Sequence, residues 1–112
     1  MSTLPPNQDI TVEQLKEILE SDPQSITLID VREASERQIS VLPDQLHIPL
    51  GTLPVQFEDL ERSAELVLYC RTGNRSGQAA AFLRANGFTN VRNVLGGINH
   101  WAATIDPTLP QY

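Results

Sequence analysis

Cysteine is almost missing from this chain of 112 residues, which contains a single one, Cys70. One thiol cannot close an internal disulfide, and the two histidines, His47 and His100, lie 53 positions apart. No cysteine–histidine cluster therefore has metal-ligand spacing, and neither a metal nor a cofactor is expected. Both histidines sit beside apolar residues (LHIPL and NHW) and read as structural side chains. Long apolar runs are missing too. The longest, at 66–69 and 79–83, fall well short of the roughly 18–20 residues that a membrane span requires. The first residues, MSTLPPNQDI, have no basic n-region and no apolar h-region, so no secretory signal is expected. A cytoplasmic location is the expectation. An excess of positive charge is also lacking: 8 Lys and Arg face 14 Asp and Glu, for a net charge of −6. That balance argues against a general nucleic-acid binder and against an anionic-membrane binder.

Repeats and low-complexity tracts are absent as well, and the length suits one domain over residues 1–112. Residues 1–8, with Pro5-Pro6, and residues 108–112 are expected to be loose ends. Between them, TVEQLKEIL carries apolar residues at Val12, Leu15, Ile18 and Leu19, the spacing of one helix face, with Thr11 as its cap and Asp22-Pro23 as its stop. ITLIDV at 26–31 is a β-branched apolar run that ends in charge, as a buried parallel strand does at a functional edge. A helical turn is expected over 32–39, a short strand over 46–49 and a short helix over 53–60. LVLYC at 66–70 is the strongest strand. A helix follows over 76–86 with Gly87 as its stop, then a strand at 91–95, a Gly96-Gly97 break and a short helix at 98–103. Alternating strands and helices joined by short connections predict an α/β domain with a mainly parallel sheet.

In such a sheet, ligands gather where a strand ends and the next helix begins. Cys70 stands at that junction, in YCRTGNRSG. Helix-start N–H groups have no intrahelical partners, and the helix dipole adds positive potential there. Gly73 permits a tight curl that would turn successive N–H groups toward the sulfur. A thiolate held this way is reactive at neutral pH. Arg71 and Arg75 could form a cationic rim for an oxyanion, although either could instead be solvated or paired with an acidic neighbour. No histidine base lies nearby in sequence, so activation would be electrostatic. Asp30 and Arg32 end the preceding strand on the same edge, and their simplest role is a salt bridge that fixes the loops. Trp101 reads as core or lid packing, and the acidic run EDLERSAE at 58–65 as a solvated face.

These motifs resemble the single-domain rhodaneses, a sulfurtransferase family. YCRTGNRSGQAAAFLRANGF is similar to their active-site loop and following helix, LIDVRE at 28–33 to their second-strand motif, and VLGGINHWAATIDP at 94–107 to their C-terminal element. The resemblance implies a five-stranded parallel sheet flanked by helices on both faces. It also implies that Cys70 is the nucleophile, taking a sulfane sulfur from a donor such as thiosulfate and passing it from a persulfide to cyanide, a thiol or a protein. Within that resemblance Arg71, Thr72, Gly73, Asn74, Arg75 and Ser76 form the substrate-binding loop, with Asp30 and Arg32 in support. No nucleic acid, membrane or second copy is implied, so a monomer is expected.

Two departures stand out. The family's Gly-His-Ile-x-Gly-Ala run is replaced here by ISVLPDQLHIPL, and Trp101 is followed by Ala-Ala-Thr without the usual glycine. Two rival readings share the thiolate cradle. A cysteine phosphatase or arsenate reductase places its arginine six positions after the cysteine, whereas here position 76 is serine and the arginine is at 75. A sulfur-carrier or regulatory module would use the same persulfide with slow turnover on small donors.

Overall fold

A computed structural model describes residues 4–112. Four strands, β1 (Thr27–Asp30), β2 (Gln45–His47), β3 (Leu66–Tyr69) and β4 (Val91–Asn93), form one parallel sheet in the order β2-β1-β3-β4. Four α-helices, α1 (Val12–Ser21), α2 (Leu53–Gln56), α3 (Asn74–Ala85) and α4 (Gly97–Thr104), cover it, with short 3₁₀ turns in the connections.

Strand pleat sorts the core into two halves. From β3, Leu66 and Leu68, followed by Cys70, face α2 and α3, where they meet Leu53, Ala79, Ala80 and Leu83. The alternate residues Val67 and Tyr69 face α1 and α4, against Leu15, Ile98 and Trp101. Both faces of β3 are buried, which explains why its sequence is continuously apolar where a half-exposed strand would alternate. Each buried leucine contributes about 1.5–3 kcal/mol to that core. Trp101 is a core residue on the α4 side.

Thr11 caps α1 as its sequence predicts: its hydroxyl accepts from the Gln14 N–H at 3.1 Å while the Gln14 side chain accepts from the Thr11 N–H at 2.9 Å. α3 begins at Asn74, two residues ahead of the expected start. Its cap is Gly73 in the left-handed region at φ +109°, with no capping side-chain bond, so the usual Ser/Thr/Asp signal is missing there.

The expected fifth strand is not formed among the described residues. In its place Ile10 makes a single parallel bridge to Val94. The ladder stops because Thr11 already caps α1, and because side chains take over the rest of the β4 edge. Asn7 Oδ1 accepts from the Val91 N–H at 2.7 Å and Asp9 Oδ1 from the Asn93 N–H at 3.0 Å.

Both ends, where they are described, are hydrogen-bonded to the body of the domain; residues 1–3 lie outside the described residues. Arg92, buried in β4, donates to the carbonyls of Leu4, Pro5 and Gln8 at 2.7–3.2 Å and pairs with Glu65 at 2.9 Å. Glu65 is thus the exception in an acidic run that is otherwise mostly exposed. At the other end, Asn99 holds Tyr112 through both main-chain atoms, at 2.8 and 3.2 Å.

Candidate active site

Chain order in the sheet reverses between β1 and β3, because the chain leaves β1 toward β2 and leaves β3 toward β4. The crevice at the carboxyl ends of these two strands is the place where open α/β sheets bind ligands. Asp30 ends β1 and Cys70 follows β3 at that crevice, with Val31 N–H donating to the Tyr69 carbonyl at 3.1 Å.

Cys70 Sγ sits over the N-terminus of α3. It accepts from the Gly73 N–H at 3.1 Å, the Ser76 N–H at 3.4 Å and the Ser76 hydroxyl at 3.3 Å. The sulfur thereby stands where a capping oxygen would, which is how α3 does without a capping side chain. Burial of the thiol, with the residue only 1% exposed, pushes its pKa up. The Ser76 hydroxyl, the Ser76 N–H and the N–H groups of Gly73 and Thr72 outweigh that effect and bring the pKa below the ordinary thiol value.

The loop is braced from α4 and β4. Ile98 N–H donates to the Cys70 carbonyl at 2.9 Å and Asn99 N–H to the Arg71 carbonyl at 3.1 Å, so orphan donors of the α4 start are spent on the loop backbone. That close approach requires glycine at 97: φ is +62°, and a Cβ there would stand 2.5 Å from both the Cys70 and Arg71 carbonyl oxygens. Asn93 grips the cradle on both sides. Its Nδ2 donates to the Gly73 carbonyl at 3.1 Å, and its Oδ1 accepts from the Ser76 hydroxyl at 2.6 Å.

The predicted loop residues therefore divide. Cys70, Thr72, Gly73 and Ser76 converge on the sulfur, the middle two through their main-chain N–H groups. Asn74 is exposed in the first turn of α3. Arg75 turns away to Glu36, bidentate at 2.6 and 2.8 Å. Arg71 lies over the Tyr112 ring, 5.1 Å from its centroid, and bonds the Tyr112 main-chain oxygen.

Asp30 and Arg32 are fully buried and pair with each other at 2.9 Å. Arg32 also donates to the Ser40 carbonyl at 2.6 Å and the Tyr112 hydroxyl at 3.0 Å, while Asp30 accepts from the Tyr69 hydroxyl at 3.0 Å. The pair fixes the segment that departs from the family pattern, whose Leu42 packs into the core near Tyr69. His47 bonds the Arg32 carbonyl at 2.7 Å through Nε2, a structural contact.

Three participants were not singled out from the sequence. Asn93 carries a weak signal, a polar side chain beside Arg92 in a strand flanked by Val91 and Val94, whereas Glu36 in an exposed-looking turn and Tyr112 in a proline-punctuated tail carry none.

Residues 11–104 match the model of the rhodanese-like domain. The chain belongs to the rhodanese-like domain family. A protein of Allochromatium vinosum named sulfurtransferase is 35% identical over 94 residues, which cover 84% of this chain and 87% of that one. The adenylyltransferase and sulfurtransferase MOCS3 of Arabidopsis thaliana is 31% identical over 128 residues, covering all of this chain but only 27% of that protein. The rhodanese-like chain thus spans about a quarter of that relative's length. Among solved structures, SSP1007 of Staphylococcus saprophyticus superposes with a TM-score of 0.79 at 29% identity, covering 93% of this chain and 99% of that one. No metal-holding group of three or more His, Cys, Asp or Glu occurs among the described residues, and no described helix is long and apolar enough to cross a membrane.

Proposed function

We propose that this rhodanese-like chain is a sulfurtransferase that carries a sulfane sulfur on Cys70. The observation that carries the reading is the set of donors on one sulfur atom: the Gly73 N–H, the Ser76 N–H and the Ser76 hydroxyl, all within 3.4 Å of Sγ. Such a cradle stabilises a thiolate, and it would equally stabilise the terminal sulfur anion of a persulfide. Relatives named sulfurtransferase support the same chemistry.

In the first half-reaction the Cys70 thiolate attacks the outer sulfur of a donor such as thiosulfate. A new S–S bond forms at Cys70, the donor's S–S bond breaks, and sulfite leaves with the electron pair. In the second, an acceptor nucleophile (cyanide, a thiol or a protein thiol) attacks the terminal sulfur, and the Cys70 thiolate departs as the leaving group. No net oxidation or external proton is needed. A reducing compartment such as the cytoplasm suits a reaction that requires Cys70 as a free thiol.

A phosphatase fits less well. Arg75, the arginine that would face a phosphate, is engaged by Glu36, and the loop is one residue shorter than the phosphatase pattern.

Steady-state kinetics with thiosulfate and cyanide test the proposal. Parallel double-reciprocal lines in the wild type and complete loss of turnover in a folded Cys70→Ser variant are expected. Turnover surviving in Cys70→Ser contradicts it.

A further inference from the structure

Both arginines of the active-site loop are already occupied. Arg71 is bonded to the Tyr112 main-chain oxygen and lies over that residue's ring. Arg75 makes a bidentate pair with Glu36 at 2.6 and 2.8 Å, the fork-on-fork geometry with which a guanidinium would receive an oxyanion substrate. Glu36 is itself held in place, since its carboxylate accepts from the Tyr112 hydroxyl at 2.5 Å and from the Glu33 N–H at 3.0 Å. The pair is partly buried, with side-chain exposures of 33% for Arg75 and 16% for Glu36. Arg75 is the residue before Ser76, whose N–H and hydroxyl both donate to the Cys70 sulfur, so its side chain starts from the cradle itself, and the charge on Cys70 helps to hold the guanidinium protonated. The other guanidiniums around this edge are also engaged, Arg32 and Arg37 both by Asp30.

From this arrangement we infer that Glu36 is a specificity residue: it occupies the oxyanion-binding fork of Arg75 and biases Cys70 against small, multiply charged oxyanion donors. The favoured substrates are sulfane donors that bring at most one negative charge and no oxyanion group to the site, such as a persulfide carried on a larger molecule. The inference rests on the sulfur-transfer reading of Cys70 for its biological meaning, though the electrostatic mask can be measured without it. Glu36 acts through Arg75 and does not touch the reacting atoms.

The test compares alkylation of Cys70 by anionic iodoacetate and neutral iodoacetamide at pH 7.5, each rate followed by intact mass. Glu36→Gln, which keeps the shape of the side chain, should raise the iodoacetate-to-iodoacetamide rate ratio by about tenfold, the lower end of what local charge does to encounter with an anion. The gain should disappear in Glu36→Gln/Arg75→Gln, because the unmasked guanidinium is its source. Tyr112→Phe, a milder change that loosens one tether of Glu36, should move the ratio in the same direction by less and covers the case of a misfolded Glu36→Gln. The KM for thiosulfate should fall in Glu36→Gln. An unchanged ratio in both single variants, or a gain that persists without Arg75, overturns the inference. A shifted ratio with no persulfide formed from any donor would leave the mask standing and remove the sulfur-transfer reading. Persulfide formation with an unmoved ratio would do the reverse.

Discussion

At the scale of single residues, the lowered pKa of Cys70 comes from a contest between burial and hydrogen bonding. Burial alone favours the neutral thiol, and the bonds from Ser76, Gly73 and Thr72 reverse the outcome. Ser76 gives the most, through both its hydroxyl and its N–H, and the backbone share survives side-chain truncation. Ser76→Ala should therefore move the pH midpoint of Cys70 alkylation upward and slow alkylation at pH 7 by about tenfold, since a hydrogen bond to a charged group is worth roughly 1.5–3 kcal/mol. A rate–pH profile with iodoacetamide reads this directly, and an unmoved midpoint would mean that the backbone alone sets the thiolate. Asn93 shares the Ser76 proton: its Oδ1 lies 2.6 Å from the hydroxyl oxygen while Sγ lies at 3.3 Å, so the single hydroxyl proton has two competing acceptors. The thiol and the donors that surround it were legible in the sequence because Cys70, Gly73 and Ser76 lie within one seven-residue loop. The partners of Arg75 and Arg71 were not, because Glu36 and Tyr112 lie 39 and 41 positions away and only the fold brings them together.

At the scale of elements, the site depends on α4 as much as on the loop it serves. The first N–H groups of α4 hold the carbonyls of Cys70 and Arg71, and only glycine fits at 97. A Gly97→Ala chain must push apart two pieces of backbone and accept a positive φ. A loss of about 2–4 kcal/mol, read by urea unfolding, is expected, together with slower Cys70 alkylation in the folded fraction. Full stability in this variant would show that the α4 contact is dispensable. Periodicity and capping made α1 readable, and continuous apolar character did the same for β3. The start of α3 was misplaced because a sulfur, and no capping oxygen of its own sequence, sits over its first turn. The fifth strand was implied by the family resemblance alone; Ile10 does pair at the β4 edge, yet Asn7 and Asp9 complete that edge with side chains, which no strand pattern encodes.

At the scale of the whole molecule, hydrogen bonds from buried and half-buried charged side chains tie both ends of the described residues to the sheet. Arg92 fixes the first described residues, and the Asp30–Arg32–Tyr112–Glu36–Arg75 network joins the last residue to β1 and α3. The network has a pH signature. The hydrogen bonds of Arg75 lower the Glu36 pKa from the ordinary 4.5 to about 2, with burial opposing and Tyr112 assisting. A carboxylate whose pKa is lower folded than unfolded binds fewer protons in the native state, so its stabilisation is complete above the unfolded value. It drains away as pH falls through the folded one. The stability difference between wild type and Glu36→Gln, from urea melts, should thus be flat above about pH 5 and shrink between 4.5 and about 2. A difference independent of pH across that window would show that the pair adds nothing through charge.

The account stands or falls on what Cys70 carries. Intact-protein mass spectrometry before and after thiosulfate, and again after cyanide, tests it most directly. The expected result is a gain of one sulfur, about 32 Da, confined to Cys70, lost on adding cyanide and absent in Cys70→Ser. A masked Arg75 makes loading by thiosulfate slow, so an organic hydropersulfide serves as the second donor in the same experiment, its terminal sulfur passing to Cys70 as the donor's thiolate leaves. A Cys70 that alkylates readily at neutral pH yet gains no sulfur from either donor would contradict the sulfur-carrying role.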